Sequence, residues 1–75
     1  MTYFTYNIGM KFSEKIKELR EEKGLSQMGL ANATGINQST IARWELEKSE
    51  PTASALIKLS KFFGESVDYI LGLED

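Results

Sequence analysis

The feature that most constrains this chain is a two-residue gap, Gly35-Ile36, between two short segments with helical character. Ser26 is a natural N-cap for the first segment. Gly35 can end that segment, because glycine adopts left-handed backbone without steric cost. Asn37 is then the natural N-cap of the second segment, which runs from Gln38 to about Leu46. Two helices of about two turns each must therefore meet at a sharp turn.

Side chains at fixed offsets around this turn support the same geometry. Ala31 is small where the second helix must press against the third, and Ile36 is apolar directly after the turn. Ile41 and Trp44 lie three residues apart and give the third helix an inner face, where Trp44 is expected in the core. The offsets together predict a helix-turn-helix.

The rest of the chain also has helical periodicity between caps and glycines. The predicted segments are residues 12–23 before Gly24, with Phe12, Ile16 and Leu19 on one face, a fourth helix from the Thr52 cap to Gly64, and a short fifth from the Ser66 cap to Gly72. Glutamates interleaved with lysines on the first helix indicate a solvated face rather than an acid–base site. The fold class is predicted to be all-α, a compact five-helix bundle.

Composition excludes several function classes. The 75 residues contain no Cys and no His, which removes disulfides, thiolate chemistry, zinc ligation and imidazole catalysis. We expect no enzyme activity, no cofactor and no metal. No apolar run approaches the length that spans a bilayer, and "MTYFTYNIG" lacks the features of a signal peptide, so we expect a cytoplasmic protein without a membrane partner. The net charge of −2 argues mildly against nucleic acid.

The outer side of the third helix carries the candidate functional residues. With Ile41 and Trp44 inward, Gln38, Ser39 and Arg43 point outward and Thr40 lies at the flank. Such a polar set is usually only a solvated face, but the helix-turn-helix offsets favour base reading in the major groove. The outward-facing side chains are therefore predicted to contact base edges of double-stranded DNA.

Three further residues are candidates for phosphate contacts. Asn37 and Gln27 lie at helix N-termini, where free N–H groups and the helix dipole attract anions. Lys48 lies just past the third helix. Its position fits a phosphate contact and an ordinary surface charge equally well.

Arg20 and Glu45 are predicted to form a partly buried ion pair. Each follows a core position by one residue, Leu19 and Trp44 respectively, so both lie at the edge of an apolar face. Such a pair gives orientation more than net stability because burial costs both charges their hydration.

Residues 10–72 resemble the Cro/CI-type, lambda-repressor-like helix-turn-helix family, also called the xenobiotic-response-element family. The strings that carry the resemblance are "MKFSEKIKELREEKGLSQ", "LANATGINQSTIARWE" and "PTASALIKLSKFFGESVDYILG". The resemblance implies a five-helix DNA-binding domain of a bacterial or phage regulator, usually a repressor that binds a palindromic operator as a homodimer. By position it implies a phosphate contact for Gln27, base reading by Gln38, Ser39 and Arg43, and a buried pair of Arg20 with Glu45.

The sequence departs from the family pattern in two places. After Glu45 the family often has Asn-Gly-Lys, whereas this chain has Leu46-Glu47-Lys48, so a phosphate contact by the Asn is expected to be lost. Met28 and Gly29 replace the acidic residues usual in the first turn of the second helix. Weak phosphate binding would make affinity depend on the dimer.

The ends of the chain leave alternatives open. Residues 1–9 are interpreted as an N-terminal extension to the domain at 10–75. The alternation of Phe4, Tyr6 and Ile8 suits a short strand, and the extension is a disordered arm, a strand that pairs across a dimer, or a segment packed on the bundle. The chain is either a stand-alone regulator or the DNA-binding domain of a longer repressor.

A second possible function is that of a protein-interaction module, antitoxin-like or anti-repressor, that kept the fold without specific DNA binding. The acidic net charge of the chain and the position of Glu50 favour this alternative.

Overall fold

The computed structural model describes residues 8–73, with side chains from residue 12 onward. The described residues form five helices and no strand, which confirms the all-α prediction. The helices are α1 (Ile8–Glu22), α2 (Gln27–Thr34), α3 (Gln38–Glu45), α4 (Ala53–Phe63) and α5 (Val67–Ile70).

Local capping defines most of the helix ends. The hydroxyls of Ser26, Thr52 and Ser66 each accept a hydrogen bond from the backbone N–H three residues on, as the sequence predicts for α2, α4 and α5. Gly35 ends α2 with a φ of 77°, and its N–H donates to the Ala31 carbonyl. The turn between α2 and α3 therefore forms where the sequence places it.

Two helix starts differ from the sequence prediction. The first helix begins at Ile8 rather than at residue 12, so it crosses the boundary between residues 9 and 10. Ile8 is consequently helical and not part of an extended strand; the alternation at Phe4 and Tyr6 lies outside the described residues. Asn37 occupies the N-cap position of α3, but its side chain makes no capping hydrogen bond. Its Oδ1 accepts from the Ser39 hydroxyl instead, at 3.1 Å.

One hydrophobic core joins all five helices. Helix α3 packs against α1 and α2, and α4 packs against α2 and α5. Trp44 is 1% exposed and meets Phe12 edge to face, with ring centroids 5.2 Å apart, so it is a core residue as predicted. The buried apolar residues are Phe12, Ile16, Leu19, Leu30, Ala31, Ile36, Ile41, Trp44, Ala55, Leu59 and Ile70. This core holds α3 by its inner face and leaves its outer face to solvent.

Candidate nucleic-acid interface

The outer face of α3 lies opposite Ile41 and Trp44. Ser39 and Arg43 are exposed on it, whereas Gln38 is half-buried near its start. Thr40 is also half-buried and borders a recess that it shares with Trp44 and the start of α4. The face therefore presents a hydroxyl, a guanidinium and part of an amide, and Thr40 stands beside it.

Two apolar residues belong to the same face and were missed from the sequence. Ala42 and Leu46 follow Ser39 by three and seven residues, a spacing that places them along one side of a helix. Leu46, which directly follows α3, is 64% exposed. Their spacing from Ser39 is the sequence signal that identifies them, although an apolar side chain by itself indicates a core position.

Arg20 and Glu45 meet beneath this face. Arg20 Nε donates to Glu45 Oε2 at 2.8 Å, and Arg20 Nη2 donates to Glu45 Oε1 at 2.9 Å. The two side chains are only 11% and 8% exposed. Arg20 Nη1 also donates to the Leu25 carbonyl at 2.8 Å, so the guanidinium links α1 to the start of α2 and the end of α3.

Gln27 and Gln38 extend this contact toward the surface. Gln27 Nε2 donates to Glu45 Oε1 at 3.1 Å, and Gln38 Nε2 donates to Gln27 Oε1 at 2.9 Å. Neither hydrogen bond was expected from the sequence, which treated the two glutamines as separate contacts to phosphate and to bases. The structure brings both into one series with the ion pair.

The other two phosphate candidates lie at opposite ends of α3. Asn37 is exposed at its start, and the backbone N–H groups of the first turn there have no side-chain cap. Lys48 is exposed beyond its end, next to Glu47 in the chain. Glu50, further along the same loop, is also exposed. The basic charge at this end is therefore accompanied by two carboxylates.

Glu47 ends α3 in a left-handed conformation. Its φ is 61°, its N–H donates to the Trp44 carbonyl at 3.0 Å, and the N–H of Lys48 donates to the Arg43 carbonyl at 2.8 Å. This is the geometry of a Schellman cap, in which glycine is the usual residue. A residue with a Cβ costs about 1–2 kcal/mol in this backbone region.

Glu47→Gly is therefore expected to raise the free energy of unfolding by about 1 kcal/mol, since it removes that steric cost. Chemical denaturation measures the change. Glu50→Gly is the matched control, because it removes an equal charge from the same loop without the positive φ, and it should not stabilise. A Glu47→Gly chain no more stable than the parent would contradict the prediction.

The pKa of the Glu45 carboxyl is lowered from its ordinary value of 4.5. Burial, the largest influence, by itself raises this pKa, but hydrogen bonds from Arg20 and Gln27 and the charges of Arg20 and Lys17 together outweigh it. A lowered folded-state pKa stabilises the fold above the unfolded-state value, and this contribution disappears as the pH falls through the folded-state value.

We therefore expect the free energy of unfolding to begin to fall below about pH 4.5, because the Glu45 carboxyl then binds a proton in the unfolded chain while it stays ionised in the folded one. Denaturant titrations between about pH 7 and pH 3 would measure this. The control is the double variant Arg20→Met with Glu45→Leu, which lacks the pair and should show a smaller loss over the same range. Equal losses in both proteins would assign the acid sensitivity to other carboxylates.

Among the described residues, no group of three or more acidic side chains lies close enough together to hold a metal ion. No helix in this part of the chain has the length and apolar character required to cross a bilayer.

Comparison with known proteins places the architecture in a family. The model of the helix-turn-helix family matches residues 16–70, which include α2, α3 and the turn between them. This chain is a member of the helix-turn-helix family. The Cro/CI-type resemblance seen in the sequence is thereby confirmed.

Several curated members of the helix-turn-helix family are similar to this chain. The HTH-type transcriptional activator BcrR of Enterococcus faecalis is 36% identical over 88% of this chain and 32% of its own length. The SPbeta prophage-derived regulator YonR of Bacillus subtilis is 38% identical over 80% of this chain and 56% of its own length. The transcriptional repressor RstR of the cryptic phage CTXphi in Vibrio cholerae is 38% identical over 71% of this chain and 48% of its own length. The chain thus spans from about a third to just over half of these relatives.

A solved structure has the same fold. A crystal structure of an HTH_3 family transcriptional regulator from Vibrio cholerae superposes with a TM-score of 0.77 at 25% sequence identity, over 87% of this chain and 36% of that one. The helix arrangement described above is therefore that of a known helix-turn-helix regulator.

Proposed function

We propose that this chain is a sequence-specific, double-stranded-DNA-binding transcriptional regulator that acts as a repressor. The observation that carries the proposal is the outer face of α3. Ser39 and Arg43 are exposed on this face and Gln38 is half-buried, whereas the opposite face of the helix packs in the core. An α-helix with such a polar face fits the major groove of B-DNA. The relatives are named as transcriptional regulators, activators or repressors, which supports the same class.

Each residue of the face has a defined role in this proposal. The Gln38 amide can accept and donate together, which matches the N6 and N7 edge of adenine, and Arg43 can pair with guanine or bind phosphate. Ser39, with Thr40 at its side, offers hydroxyls that pair with several bases. Gln27, the uncapped start of α3 at Asn37, and Lys48 would contact the sugar–phosphate backbone.

We further propose that the chain binds as a homodimer on a palindromic site. A single α3 offers few base contacts, and two copies related by a two-fold axis would read half-sites about one helical turn apart. The carboxylates of Glu47 and Glu50 beside Lys48 limit what one subunit gains from phosphate, so two subunits are needed for firm binding.

A second candidate is a protein-interaction module, and two exposed apolar side chains favour it. Met28 in the first turn of α2 is 55% exposed and Leu46 is 64% exposed. Leu46 borders a recess with Gln27, Ala42 and Glu45, so an apolar group of a partner protein could lie there. In that case the α3 face would contact protein instead of bases.

Selection of bound duplexes from a random pool separates the two candidates. The purified chain is expected to enrich a palindrome, and a titration should show tighter binding to it than to a scrambled duplex of equal length. Sedimentation of the complex should give two chains per duplex. If the chain does not distinguish the two duplexes, the DNA proposal fails and the interaction module takes its place.

The salt dependence of binding is expected to be shallow. Few basic side chains surround α3, so each subunit should neutralise about 3–5 phosphates, and the log–log slope for a dimer should be no steeper than about −10. Titrations at several salt concentrations measure the slope, and Lys48→Ala should reduce its magnitude by about one unit for each subunit if Lys48 contacts phosphate. A steeper slope would mean that basic groups outside this face also contact DNA.

A further inference from the structure

An open recess of about 430 Å³ lies beside the outer face of α3, where α1, the start of α2 and the end of α3 meet. The side chains that line it are Lys17, Arg20, Gln27, Ala42, Glu45 and Leu46. We propose that this recess receives one phosphate of the DNA backbone and that the ammonium of Lys17 on α1 binds it. The proposal rests on the proposed function in one respect, that the chain binds double-stranded DNA.

The charge that the recess offers to a ligand comes from Lys17. Arg20 and Glu45 also line the recess, but they neutralise each other through two hydrogen bonds of 2.8 and 2.9 Å. The remaining Arg20 nitrogen donates to the Leu25 carbonyl, and Glu45 accepts a further hydrogen bond from Gln27. Two cations and one carboxylate give the lining a net charge of +1, and the ammonium of Lys17 supplies it.

The ammonium of Lys17 is available to a ligand. Lys17 is exposed, and it forms no ion pair with any carboxylate in the described part of the chain. Its charge nevertheless reaches into the recess, because it helps to lower the pKa of the Glu45 carboxyl. Ala42 and Leu46 give the recess an apolar wall, so a phosphate there meets the Lys17 ammonium and the second N–H of the Gln27 amide as donors.

Carboxylates on α1 limit the side from which DNA can reach Lys17. Glu14 and Glu21 lie about one helical turn before and after Lys17, and with Glu18 and Glu22 they line the neighbouring surface of α1. This acidic surface repels the phosphate backbone. Lys17 borders both surfaces, so a phosphate approaches its ammonium from the side of α3.

The position of the recess favours a phosphate as its ligand. The recess adjoins the face of α3 that is proposed to enter the major groove, and phosphates border this groove along both of its edges. A lysine ammonium binds phosphate as a compact point charge. Lys17 therefore provides a backbone contact from outside the helix-turn-helix itself.

Removing the charge of Lys17 should weaken DNA binding in a salt-dependent way. Each phosphate contact changes log K by about 0.9 for a tenfold change in salt, so Lys17→Met should lower the affinity about fivefold per subunit at about 0.15 M salt. The loss should shrink toward zero near about 1 M salt, and the log–log slope should fall in magnitude by about one unit per subunit. The factor should be similar on the selected and the scrambled duplex, because phosphate contacts carry no sequence information.

Two further variants separate a phosphate contact from other effects. Lys17→Arg keeps the charge and should retain most of the slope. Lys61→Met is the matched control, because it removes an exposed lysine of α4 that lines neither surface and changes the net charge equally; it should leave the slope unchanged. An unchanged slope in Lys17→Met would overturn the inference. A loss that is equal at every salt concentration, and that Lys17→Arg does not restore, would assign Lys17 a structural role through Glu45 and would also overturn it.

Substitution of single phosphates locates the contact. Each phosphate of the selected duplex is replaced in turn by an uncharged methylphosphonate, and the binding of the parent and of Lys17→Met is compared. At one position in each half-site the replacement should weaken the parent and leave Lys17→Met nearly unaffected, because both changes remove the same interaction. If Lys17→Met is as sensitive as the parent at every position, Lys17 binds no phosphate.

Salt titrations on scrambled DNA keep this inference separate from sequence-specific binding. If the parent does not distinguish the two duplexes but Lys17→Met lowers the slope on both, the phosphate site stands and the specificity proposed for α3 fails. If the parent prefers the selected duplex and Lys17→Met keeps the full slope, the specificity stands and the phosphate site is wrong. If the parent binds neither duplex, both are wrong.

Discussion

Replacing Glu45 with alanine is expected to lower the free energy of unfolding by about 3 kcal/mol, one of the largest effects of a polar substitution in this chain. The reason is the partner that remains: Arg20 stays buried, and its Nε and Nη2 groups lose both carboxylate contacts. For a domain of this size the loss corresponds to a fall in melting temperature of more than about 10 °C. Thermal and chemical denaturation both measure it.

The double variant Arg20→Met with Glu45→Leu separates the cost of an unpaired charge from the value of the pair. Replacing a buried pair by apolar groups of similar size is often close to neutral, so this variant should be much more stable than Glu45→Ala. If Glu45→Ala melts within a degree or two of the parent, the pair contributes little and Arg20 finds other partners.

Replacing Gln38 with alanine is expected to weaken binding to the selected duplex by about 5- to 150-fold, since one bidentate base contact contributes about 1–3 kcal/mol of discrimination. Binding to scrambled DNA should be nearly unchanged, because Gln38 is proposed to contact bases and not phosphate. Titrations of the parent and the variant on both duplexes measure the two effects.

Lys48→Ala is the matched control for Gln38→Ala. Phosphate contacts hold a protein on DNA of any sequence, so loss of Lys48 should weaken binding to both duplexes by a similar factor. If Gln38→Ala also weakens both equally, Gln38 contacts only the backbone, and base reading must be assigned to Ser39 and Arg43.

The two predictions concern opposite ends of one series of side chains. Glu45 is almost fully buried and affects stability, whereas Gln38 is half-buried and faces the proposed ligand. Gln27 lies between them and contacts both. Substitutions at Glu45 are therefore expected to change mainly the stability of the fold, and substitutions at Gln38 mainly the binding of DNA.

Local sequence was sufficient for the helix boundaries that depend on a few neighbouring residues. Ser26, Thr52 and Ser66 cap their helices as predicted, and Gly35 turns the chain between α2 and α3. A cap or a turn is decided by groups within about four residues, so its signal is present in the sequence itself. The inward positions of Ile41 and Trp44 followed from helical periodicity for the same reason.

Only the tertiary structure decided how the polar residues connect. Gln27 and Gln38 are 11 positions apart, and Gln27 and Glu45 are 18 apart, so their contacts depend on how α2 and α3 cross. The start of α1 at Ile8 and the hydrogen bond between the Ser39 hydroxyl and Asn37 were also not predicted from the sequence. The residue types at the outer face of α3 were therefore visible in the sequence. Each of these polar side chains could form hydrogen bonds with several partners. The packing of the three helices around a common core decides which partner lies within reach, so the hydrogen bonds could not be predicted from the sequence.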